Sequence, residues 1–439
     1  MKELKMDLTQ SRIIIPVSGQ FELTETCNNN CLHCYNYFRD SPTKNNYDLG
    51  RIAVRIAENK IFHIDITGGE PFLLKDKLLE VASVFNEHNM DFSINTNLAM
   101  ASEEDPAALK EKGLISILTS LLSHDSEVHD YLTQRHGSFK DTLKGISKVK
   151  KLGINIGVNM VINDRNKRQV YDTGKFVFEN LGIDHFYATP IVPPLRNTLV
   201  NLEISAGDYI GGLDALLTLQ DEFGLSVESL CPPMPCIFDD PAKYLTFFHR
   251  SCVGGRNTFS VSSDGEVRPC SHSDEKYGNI LSDDLESILS KMTKWRDSSL
   301  IPEDCKECSE AVYCRGGCRI AALATSKNLK GNHPYFEKPL KTKIQRYKEQ
   351  PLLNLDGMRA RSRKGTIRYR EEFNGMTTVY LNPISFATLD PFDFKLFRFI
   401  ISYPDKRLGD VKKDLGLESD ELSPFIGFLK DRSLITLSS

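Results

Sequence analysis

The sequence predicts an α/β protein: a partial (β/α)6 barrel, then a small metal-held domain, then a C-terminal winged-helix-like α+β domain. Strand-like and helix-like segments alternate six times from residue 20 to about 225, which is typical of a parallel sheet with right-handed crossovers. Eight cysteines then fall between 226 and 335, where apolar periodicity is sparse. Apolar periodicity returns in 356–439, which indicates a separate core.

The six predicted barrel strands are apolar runs separated by helical segments. They are Gly19–Leu23, Phe62–Thr67, Phe92–Asn97, Leu114–Leu118, Ile154–Ile162 and His185–Ile191. Helices are predicted over Phe139–Leu152 and Val170–Leu181, each followed by a glycine suited to the C′ position, and around Ile210–Leu217. Because chemistry in such barrels lies at the C-terminal ends of the strands, the segments that follow these strands are the candidate site.

The predicted organisation is a barrel at 1–225, a metal-held domain at 226–335, a polar linker at 336–355 and a small domain at 356–439. In the metal-held domain, Asp264-Gly265 predicts a hairpin turn. In the last domain, Gly365–Arg370, Thr377–Leu381 and Leu434–Leu437 read as strands. Its first helix follows Asp390-Pro391, with a predicted buried face of Phe394, Phe397, Ile400 and Ile401. Its last helix carries Leu422, Phe425, Ile426 and Leu429.

Composition narrows the functional class. The chain has 439 residues, 40% of them hydrophobic, and a net charge of −4, which gives no overall argument for nucleic acid or an anionic membrane. It lacks an apolar run of about 20 residues, and its start lacks the apolar core of a signal peptide. Eleven clustered cysteines in a chain expected in the cytoplasm indicate metal or redox use rather than disulfides.

Cys27, Cys31 and Cys34 stand as C-x3-C-x2-C directly after the first strand. A four-iron, four-sulfur cube normally takes four thiolates, so three leave one iron open to a small molecule. Structural zinc is the alternative, but it normally takes four ligands.

This stretch resembles the cluster motif of the radical SAM superfamily, and Gly68-Gly69-Glu70-Pro71 after the second strand resembles that family's Gly-Gly-Glu-Pro motif. The resemblance implies a [4Fe-4S] cluster with an open iron site that binds S-adenosyl-L-methionine. Reductive cleavage then gives a 5′-deoxyadenosyl radical that abstracts hydrogen from substrate. By the same resemblance, Glu70 and the backbone around it hold the methionine ammonium. Taken alone, this motif is a strand-to-helix turn.

The resemblance also implies weaker cofactor contacts at the ends of later strands. They are Asn95 and Asn97 after the third strand, Ser120 and Arg135 after the fourth, Asn163 after the fifth, and His33 against the adenine. Arg135 would pair with a carboxylate, and the alternative is a solvated surface arginine. Leu122 stands where the family often has an aspartate.

The second cysteine field resembles SPASM, the auxiliary-cluster domain of radical SAM enzymes that modify peptides. The resemblance implies one auxiliary [4Fe-4S] cluster on Cys252, Cys270 and Cys318 and another on Cys305, Cys308 and Cys314. The family's further downstream cysteine is absent here. Cys231 and Cys236 are candidate fourth ligands. Alternatives are an open iron, a non-cysteine ligand, a free thiol that donates hydrogen to a substrate radical, or a zinc ribbon.

The last domain resembles the PqqD-like recognition element of peptide-modifying systems, which binds a precursor-peptide leader as an added strand. The resemblance rests on three strands followed by three helices and on the segments Tyr380–Pro383, Thr388–Asp390 and Phe428–Ile435. Two alternatives remain, a plain packing domain and a winged helix that binds DNA. A basic cluster favours the DNA-binding alternative. Its members are Arg359, Arg361, Arg363, Lys364, Arg368 and Arg370.

Together these features predict a radical SAM/SPASM maturase that cross-links a ribosomally made precursor peptide through a carbon–carbon or carbon–heteroatom bond. A flavodoxin or ferredoxin is the expected electron donor, and neither a membrane nor a nucleic-acid partner is expected. The alternatives are a peptide epimerase, a maturase that oxidises a residue of a folded protein and, from another class, an iron–sulfur or zinc regulator that binds DNA.

Overall fold

A computed structural model describes residues 15–36, 48–193, 201–248, 251–344, 355–363, 365–372, 375–383 and 385–438. These residues form two compact units. The first contains the described residues from Ser18 to Ile344, and the second contains those from Leu355 to Ser438 together with 15–17. No helix in the described ranges is both long and apolar enough to cross a bilayer.

The first unit is built on a parallel sheet. Its parallel strands are β1 Ser18–Glu22, β2 His63–Thr67, β3 Asp91–Thr96, β4 Leu114–Ser120, β5 Asn155–Ile162, β6 His185–Pro190 and β7 Ser226–Glu228. Each pairs in parallel with the next. All six predicted strands are present, which confirms the partial barrel, and β7 extends it. Strand β7 was not predicted, because three residues are too few to show an alternating pattern of apolar and polar side chains.

Helices cover this sheet and bury their apolar faces on it. They are α1 Leu49–Ala57, α2 Lys75–Glu87, α3 Glu104–Glu111, α4 Ser126–Thr133, α5 Ser138–Lys151, α6 Val170–Glu179 and α7 Ala206–Phe223. Sequence signals fix several ends. Ser205 and Asp208 form a capping box at the start of α7, and Gly224 ends that helix in the left-handed region. The strand core, which includes Ile66, Phe92 and Ile94, is fully buried.

The cysteine-rich region extends the same sheet. Strand β8 (Ser260–Val261) lies parallel to β1, and β9 (Glu266–Arg268) and β10 (Gly278–Asn279) follow in antiparallel fashion. The predicted Asp-Gly turn joins β8 to β9, with Gly265 at φ +86°. Short helices complete the region: α8 Leu285–Ser290, α9 Thr293–Arg296, α10 Ala311–Cys314 and α11 Arg319–Ser326. The region is therefore continuous with the β1 edge of the barrel.

The second unit contains two small antiparallel sheets and three helices. Its elements are β11 Arg359–Ser362, β12 Arg368–Glu371, β13 Thr377–Asn382, β14 Ser385–Leu389, α12 Pro391–Ser402, α13 Leu408–Leu415, α14 Ser419–Asp431 and β15 Ile435–Ser438. Strands β12, β13 and β14 form one sheet, and β11 pairs with β15 in the other. Asp390 caps α12, as predicted, by accepting from the Asp393 amide at 2.8 Å.

Two sequence expectations for this part of the chain need adjustment. On α12, Phe397 and Ile400 are buried as predicted, but Leu396 is buried too, while Phe394 and Ile401 are only partly buried. Residues 336–344 of the expected linker pack within the first unit. The remainder of the linker, 345–354, and Lys364 lie outside the described residues.

Candidate active site

The three cysteines of the first motif lie in the loop that follows β1, and all three are half-buried. Two backbone hydrogen bonds tie this loop to the end of α4. The Asn30 amide donates to the Thr133 carbonyl at 2.9 Å, and the Leu32 amide donates to the Leu132 carbonyl at 2.9 Å. The cysteines are therefore held at the carboxyl edge of the sheet, as the sequence predicts.

Gly68 and Gly69 lie directly against this loop. The Gly69 amide donates to the Thr24 carbonyl at 2.5 Å, and the Glu70 amide donates to the Thr26 carbonyl at 2.8 Å. Gly68 adopts φ +130°, and a Cβ atom on Gly69 would lie 1.9 Å from the Thr26 carbonyl oxygen. Only glycine allows this approach, so the two glycines set the position of the chain that leads into Cys27.

The carboxylate of Glu70 is fully buried and joins the ends of β2 and β3. Its oxygens accept from the Phe72 amide at 3.0 Å, the Thr96 hydroxyl at 2.6 Å and the Asn97 amide at 2.9 Å. Burial raises its pKa above the ordinary value, and these three donors oppose that shift. Pro71 opens the 3-10 turn Pro71–Leu74 beside it. The structure therefore shows Glu70 positioning the two strand ends.

Asn97 contacts the cysteine loop from the end of β3. Its Nδ2 atom donates to Asn28 Oδ1 at 2.8 Å and lies 3.9 Å from Cys27 Sγ. The Asn29 amide donates to the same sulfur at 3.4 Å. Donors aimed at a sulfur stabilise its thiolate form, which is the form that binds iron.

Arg135 lies on the other side of the loop, and it is not a solvated surface arginine. Its Nε donates to Asn29 Oδ1 at 2.7 Å, and its Nη1 pairs with Asp141 at 2.9 Å. Two buried donors nearby, Arg135 Nη2 and Asn28 Nδ2, have no hydrogen-bond partner among the described residues. Buried donors normally have partners. This pair therefore suits an anionic group such as the carboxylate of a bound amino acid, and the site fits S-adenosylmethionine.

The other predicted contacts divide into two sets. His33 is half-buried in the turn between Cys31 and Cys34, Asn95 is half-buried near the end of β3, and Ser120 ends β4 opposite Asn159. Asn163 differs, because it is fully buried and its amide bonds within its own turn, to the Val161 carbonyl and the Arg165 amide. The structure therefore does not bring Asn163 to the site.

His129 supports the cysteine loop and was missed by sequence reasoning, since no motif marks it. Its Nδ1 accepts from the Leu122 amide at 3.2 Å, and its Nε2 lies 3.2 Å from the Ser138 hydroxyl. Ser138 also accepts from Asn29 Nδ2 at 3.5 Å. Burial lowers the pKa of His129 to about 4, so the ring is neutral at pH 7.

We expect His129 to make the fold sensitive to mild acid. A histidine whose folded pKa is about 4 against an ordinary 6.5 contributes stability above pH 6.5 that is lost as the pH falls towards 4. Between pH 7 and 5 the loss is about 2 kcal/mol. Urea unfolding of His129→Gln should lack this part of the pH dependence. The exposed His136 is the control, because His136→Gln should leave the wild-type dependence unchanged. An equal pH dependence in wild type and His129→Gln would contradict the prediction.

Besides the β1–β8 pairing, side-chain contacts connect the barrel to the cysteine-rich region, and sequence patterns gave no sign of them. Tyr35 stacks on His272 with ring centroids 4.2 Å apart. Glu25 accepts from the Ser263 hydroxyl at 2.5 Å, and Glu22 forms a buried ion pair with Arg268. Tyr35, which follows Cys34, thus contacts His272, which lies two residues after Cys270. The loop of the first cysteine motif and the cysteine-rich region are therefore adjacent.

The remaining eight cysteines form two groups of four. In the first, interaction with the Cys318 thiol, together with burial, raises the pKa of Cys231 well above its ordinary value. Burial and the charges of Cys252 and Cys318 raise the pKa of Cys270 to about 12, which records their proximity. Interaction with Cys231 lowers the pKa of Cys318 to about 6, and the nearby amides of Ala321 and Ile320 act in the same direction.

The second group lines a single cavity. Its members are Cys236, Cys305, Cys308 and Cys314, with Met234 and Leu340 beside them. The Leu340 amide donates to Cys308 Sγ at 3.3 Å. Burial raises the pKa of Cys314 to about 12, and the nearby amides of Gly316 and Gly317 counteract part of that rise. No group of three or more described His, Cys, Asp or Glu side chains is arranged to hold a metal ion. In a cube each thiolate binds a different iron, so its four ligands need not converge on one point.

Comparisons with known proteins agree with this geometry. Residues 21–177 match the Radical SAM superfamily, and residues 252–309 match SPASM, an iron-sulfur cluster-binding domain. The AdoMet-dependent heme synthase of Methanosarcina barkeri (strain Fusaro) is 25% identical over 338 residues, which are 72% of this chain and 94% of the relative. The antilisterial bacteriocin subtilosin biosynthesis protein AlbA of Bacillus subtilis (strain 168) is 28% identical over 327 residues, 71% of this chain and 69% of AlbA.

A solved structure shares the fold. Streptococcus suis SuiB bound to precursor peptide SuiA superposes with a TM-score of 0.57 at 15% identity, over 74% of this chain and 76% of SuiB. This chain is a radical SAM enzyme with a SPASM domain. Its cofactors are [4Fe-4S] clusters and S-adenosylmethionine. The assignment to an iron–sulfur domain replaces the zinc ribbon that the sequence had left open.

Proposed function

We propose that this enzyme modifies a ribosomally made precursor peptide by forming an intramolecular carbon–carbon or carbon–heteroatom cross-link. The observation that carries the proposal is the cysteine-rich region that contacts the loop of the first cysteine motif through Tyr35 and His272. A cross-link removes two hydrogens from the peptide, and the radical takes only one of them as a hydrogen atom. The second must leave as a proton and an electron, which requires an electron acceptor.

The cofactors supply the one-electron chemistry when bound, namely reductive cleavage to a 5′-deoxyadenosyl radical and acceptance of the substrate electron. The chain's own residues hold these groups. Cys27, Cys31 and Cys34 would bind the first cluster, and the backbone at Gly68–Glu70 would face the methionine ammonium. Arg135 and Asn28 present donors for its carboxylate.

The relatives support a peptide substrate over a porphyrin. AlbA is a subtilosin biosynthesis protein, and SuiB is bound to a precursor peptide. The heme synthase match covers 72% of this chain and the AlbA match covers 71%, so more than a quarter of this chain lies outside each match. We therefore propose that the second unit has an additional function in peptide recognition.

We assign leader binding to the PqqD-like second unit. Its sheet β12–β13–β14 has two outer strands, and an extended peptide can add to such an edge. DNA binding is less favoured, because several of its arginines are already engaged. Arg361 pairs with Asp405 at 2.7 Å, and the buried Arg370 pairs with Glu372 at 2.8 Å.

Two further parts of the proposal concern the cell. A flavodoxin or ferredoxin is the proposed electron donor, since the first cluster needs a low-potential one-electron reductant. None of the eleven cysteines forms a disulfide, which supports a reducing compartment and hence the cytoplasm.

The test is anaerobic reconstitution with iron, sulfide and dithionite, in the presence of S-adenosylmethionine and the peptide encoded by a neighbouring small open reading frame. Cross-linking predicts 5′-deoxyadenosine and a peptide lighter by two hydrogens. Epimerisation would instead leave the peptide mass unchanged in ordinary water and add one deuterium in heavy water. Production of 5′-deoxyadenosine with no change in the peptide would refute this substrate.

We expect Arg135→Ala to weaken S-adenosylmethionine binding about 10- to 100-fold, the equivalent of the 1.5–3 kcal/mol typical of a hydrogen bond to a charged group. Lys144→Ala is the matched control. Lys144 also contacts Asp141, at 3.7 Å, but its side chain is 61% exposed. Equilibrium binding to the anaerobic holoenzyme would measure both. Equal affinities of Arg135→Ala and wild type for S-adenosylmethionine would show that Arg135 does not contribute to binding this cofactor.

A further inference from the structure

One face of strands β4 to β7 is polar near the carboxyl ends of the strands. Ser120, Asn159, Tyr187 and Glu228 are register partners across these four neighbouring strands, and all four are half-buried. We call these four residues the polar row. Barrel interiors are normally filled with branched apolar side chains. Polar side chains at this level therefore indicate an interior that is open to a ligand.

The opposite face of the same strands is covered by helices. Met160 and Phe186, which alternate with the polar row, are fully buried. A Cβ atom on Gly174 of α6 would lie 2.9 Å from the Phe186 ring, and one on Gly212 of α7 would lie 2.7 Å from Ile162. Because the helices pack on that face, the polar row faces away from them and into the barrel.

The side-chain amide of Asn159 is held in one orientation. Its Oδ1 accepts from the Thr189 hydroxyl at 2.8 Å, and that hydroxyl oxygen accepts from the Leu230 amide at 3.2 Å. These bonds occupy the oxygen end of the Asn159 amide. Its Nδ2 makes no hydrogen bond to any residue that the structure describes, so its two hydrogens are presented to the barrel interior.

Gly157 shapes the space beside Asn159. It lies two positions earlier on the same face of β5, and a Cβ atom there would lie 2.6 Å from the Tyr187 ring and 3.3 Å from Leu118. The missing side chain therefore lets the Tyr187 ring lie against β5. The ring and Leu118 fill the barrel interior on the amino-terminal side of Asn159, and the amide lies at the carboxyl side of this filled layer.

The polar row is continuous with the cofactor site. Val161, the next residue after Asn159 on the same face of β5, packs against the apolar cluster that contains Leu122, and Leu32 of the cysteine loop packs against the same cluster. The row itself begins at Ser120, a predicted contact of S-adenosylmethionine. A substrate that binds along this row is therefore adjacent to the source of the radical.

We propose that Asn159 binds the substrate by donating from Nδ2 to a backbone carbonyl of the peptide segment that is modified. This inference rests on the proposed peptide substrate. The donor is neutral, and the carboxylate of Glu228 in the same row disfavours an anionic group, so a carbonyl oxygen is the acceptor that fits. Every residue of a peptide offers one. The contact would fix which hydrogen of the peptide faces the radical.

The experiment compares Asn159→Asp with wild type, using the anaerobic holoenzyme, S-adenosylmethionine and the peptide encoded by the neighbouring small open reading frame. The variant keeps an oxygen for the Thr189 hydroxyl but loses both hydrogens of Nδ2. At saturating peptide, formation of modified peptide should fall about 10- to 100-fold, the scale of a misplaced reacting group. The rate of 5′-deoxyadenosine formation and the affinity for S-adenosylmethionine should match wild type.

The ratio of 5′-deoxyadenosine to modified peptide should therefore rise by the same factor, whereas a damaged fold would lower both products together. Asn159→Ala, which introduces no charge, should raise the ratio as well. Asn155→Asp is the matched control, because Asn155 is an exposed residue on the same face of β5 at its amino-terminal end. This control should keep the wild-type ratio, and iron content checks that each variant carries its clusters.

A wild-type ratio in both Asn159→Asp and Asn159→Ala would overturn the inference. Weaker binding of S-adenosylmethionine by both variants would also overturn it, because the amide would then belong to the cofactor site. A wild-type enzyme that leaves the peptide unmodified would overturn the proposed function and this inference with it. The two failures are distinguishable, because only the second is seen without any substitution.

Discussion

Replacing Cys31 by alanine should abolish reductive cleavage of S-adenosylmethionine. The three half-buried cysteines of the loop after β1 are the proposed protein ligands of the first cluster, so only two thiolates would remain for its four irons. We expect 5′-deoxyadenosine to fall at least about a thousandfold, on the scale of losing an essential catalytic group. Iron should fall by about four atoms per chain, the content of one cube.

The matched control is Asn30→Ala. Asn30 is exposed in the same loop, and its described contact to Thr133 is made by its backbone amide, which alanine retains. Chromatography of 5′-deoxyadenosine and iron analysis on anaerobic protein would measure both variants. Substantial cleavage by Cys31→Ala would mean that the three cysteines are not the cofactor ligands.

The second large effect is expected for Gly69→Ala. The new methyl carbon would lie 1.9 Å from the Thr26 carbonyl oxygen and 2.8 Å from that of Glu25. Both are backbone atoms, which cannot rotate away, so the chain leading into Cys27 must move. We expect loss of the first cluster and its cleavage activity, with a stability cost of about 1–3 kcal/mol. The auxiliary irons should remain.

Gly211→Ala is the control for Gly69→Ala. Gly211 lies within α7, and nothing lies within 4 Å of its added Cβ atom. Because alanine favours helix more than glycine, this change should be neutral or stabilising by up to about 1 kcal/mol. Iron content, 5′-deoxyadenosine yield and urea unfolding separate the two variants. Wild-type cleavage by Gly69→Ala would show that the close approach does not position the site.

Much of the candidate site was readable from local sequence. Cysteine spacing and the Gly-Gly-Glu-Pro turn are short-range patterns, and each follows a strand whose apolar run is clear. The contacts of His129 and the Glu22–Arg268 ion pair could not be predicted, because each depends on residues that are distant in the sequence. For Asn163, the position after β5 was predictable, but the bonds that its amide makes within its own turn were not.

The sequence alone determined the class of chemistry, because three closely spaced thiols and a glycine pair are fixed by residue identity and spacing. It also determined the parallel sheet, because strand and helix periodicities are local. Only the tertiary structure decided which thiols share a group. Cys236 lines one cavity with Cys305, Cys308 and Cys314, since chain packing, not spacing, sets distances between residues far apart in sequence. It likewise decided that β8 joins the barrel edge beside β1, because strand pairing depends on contacts about 240 residues apart.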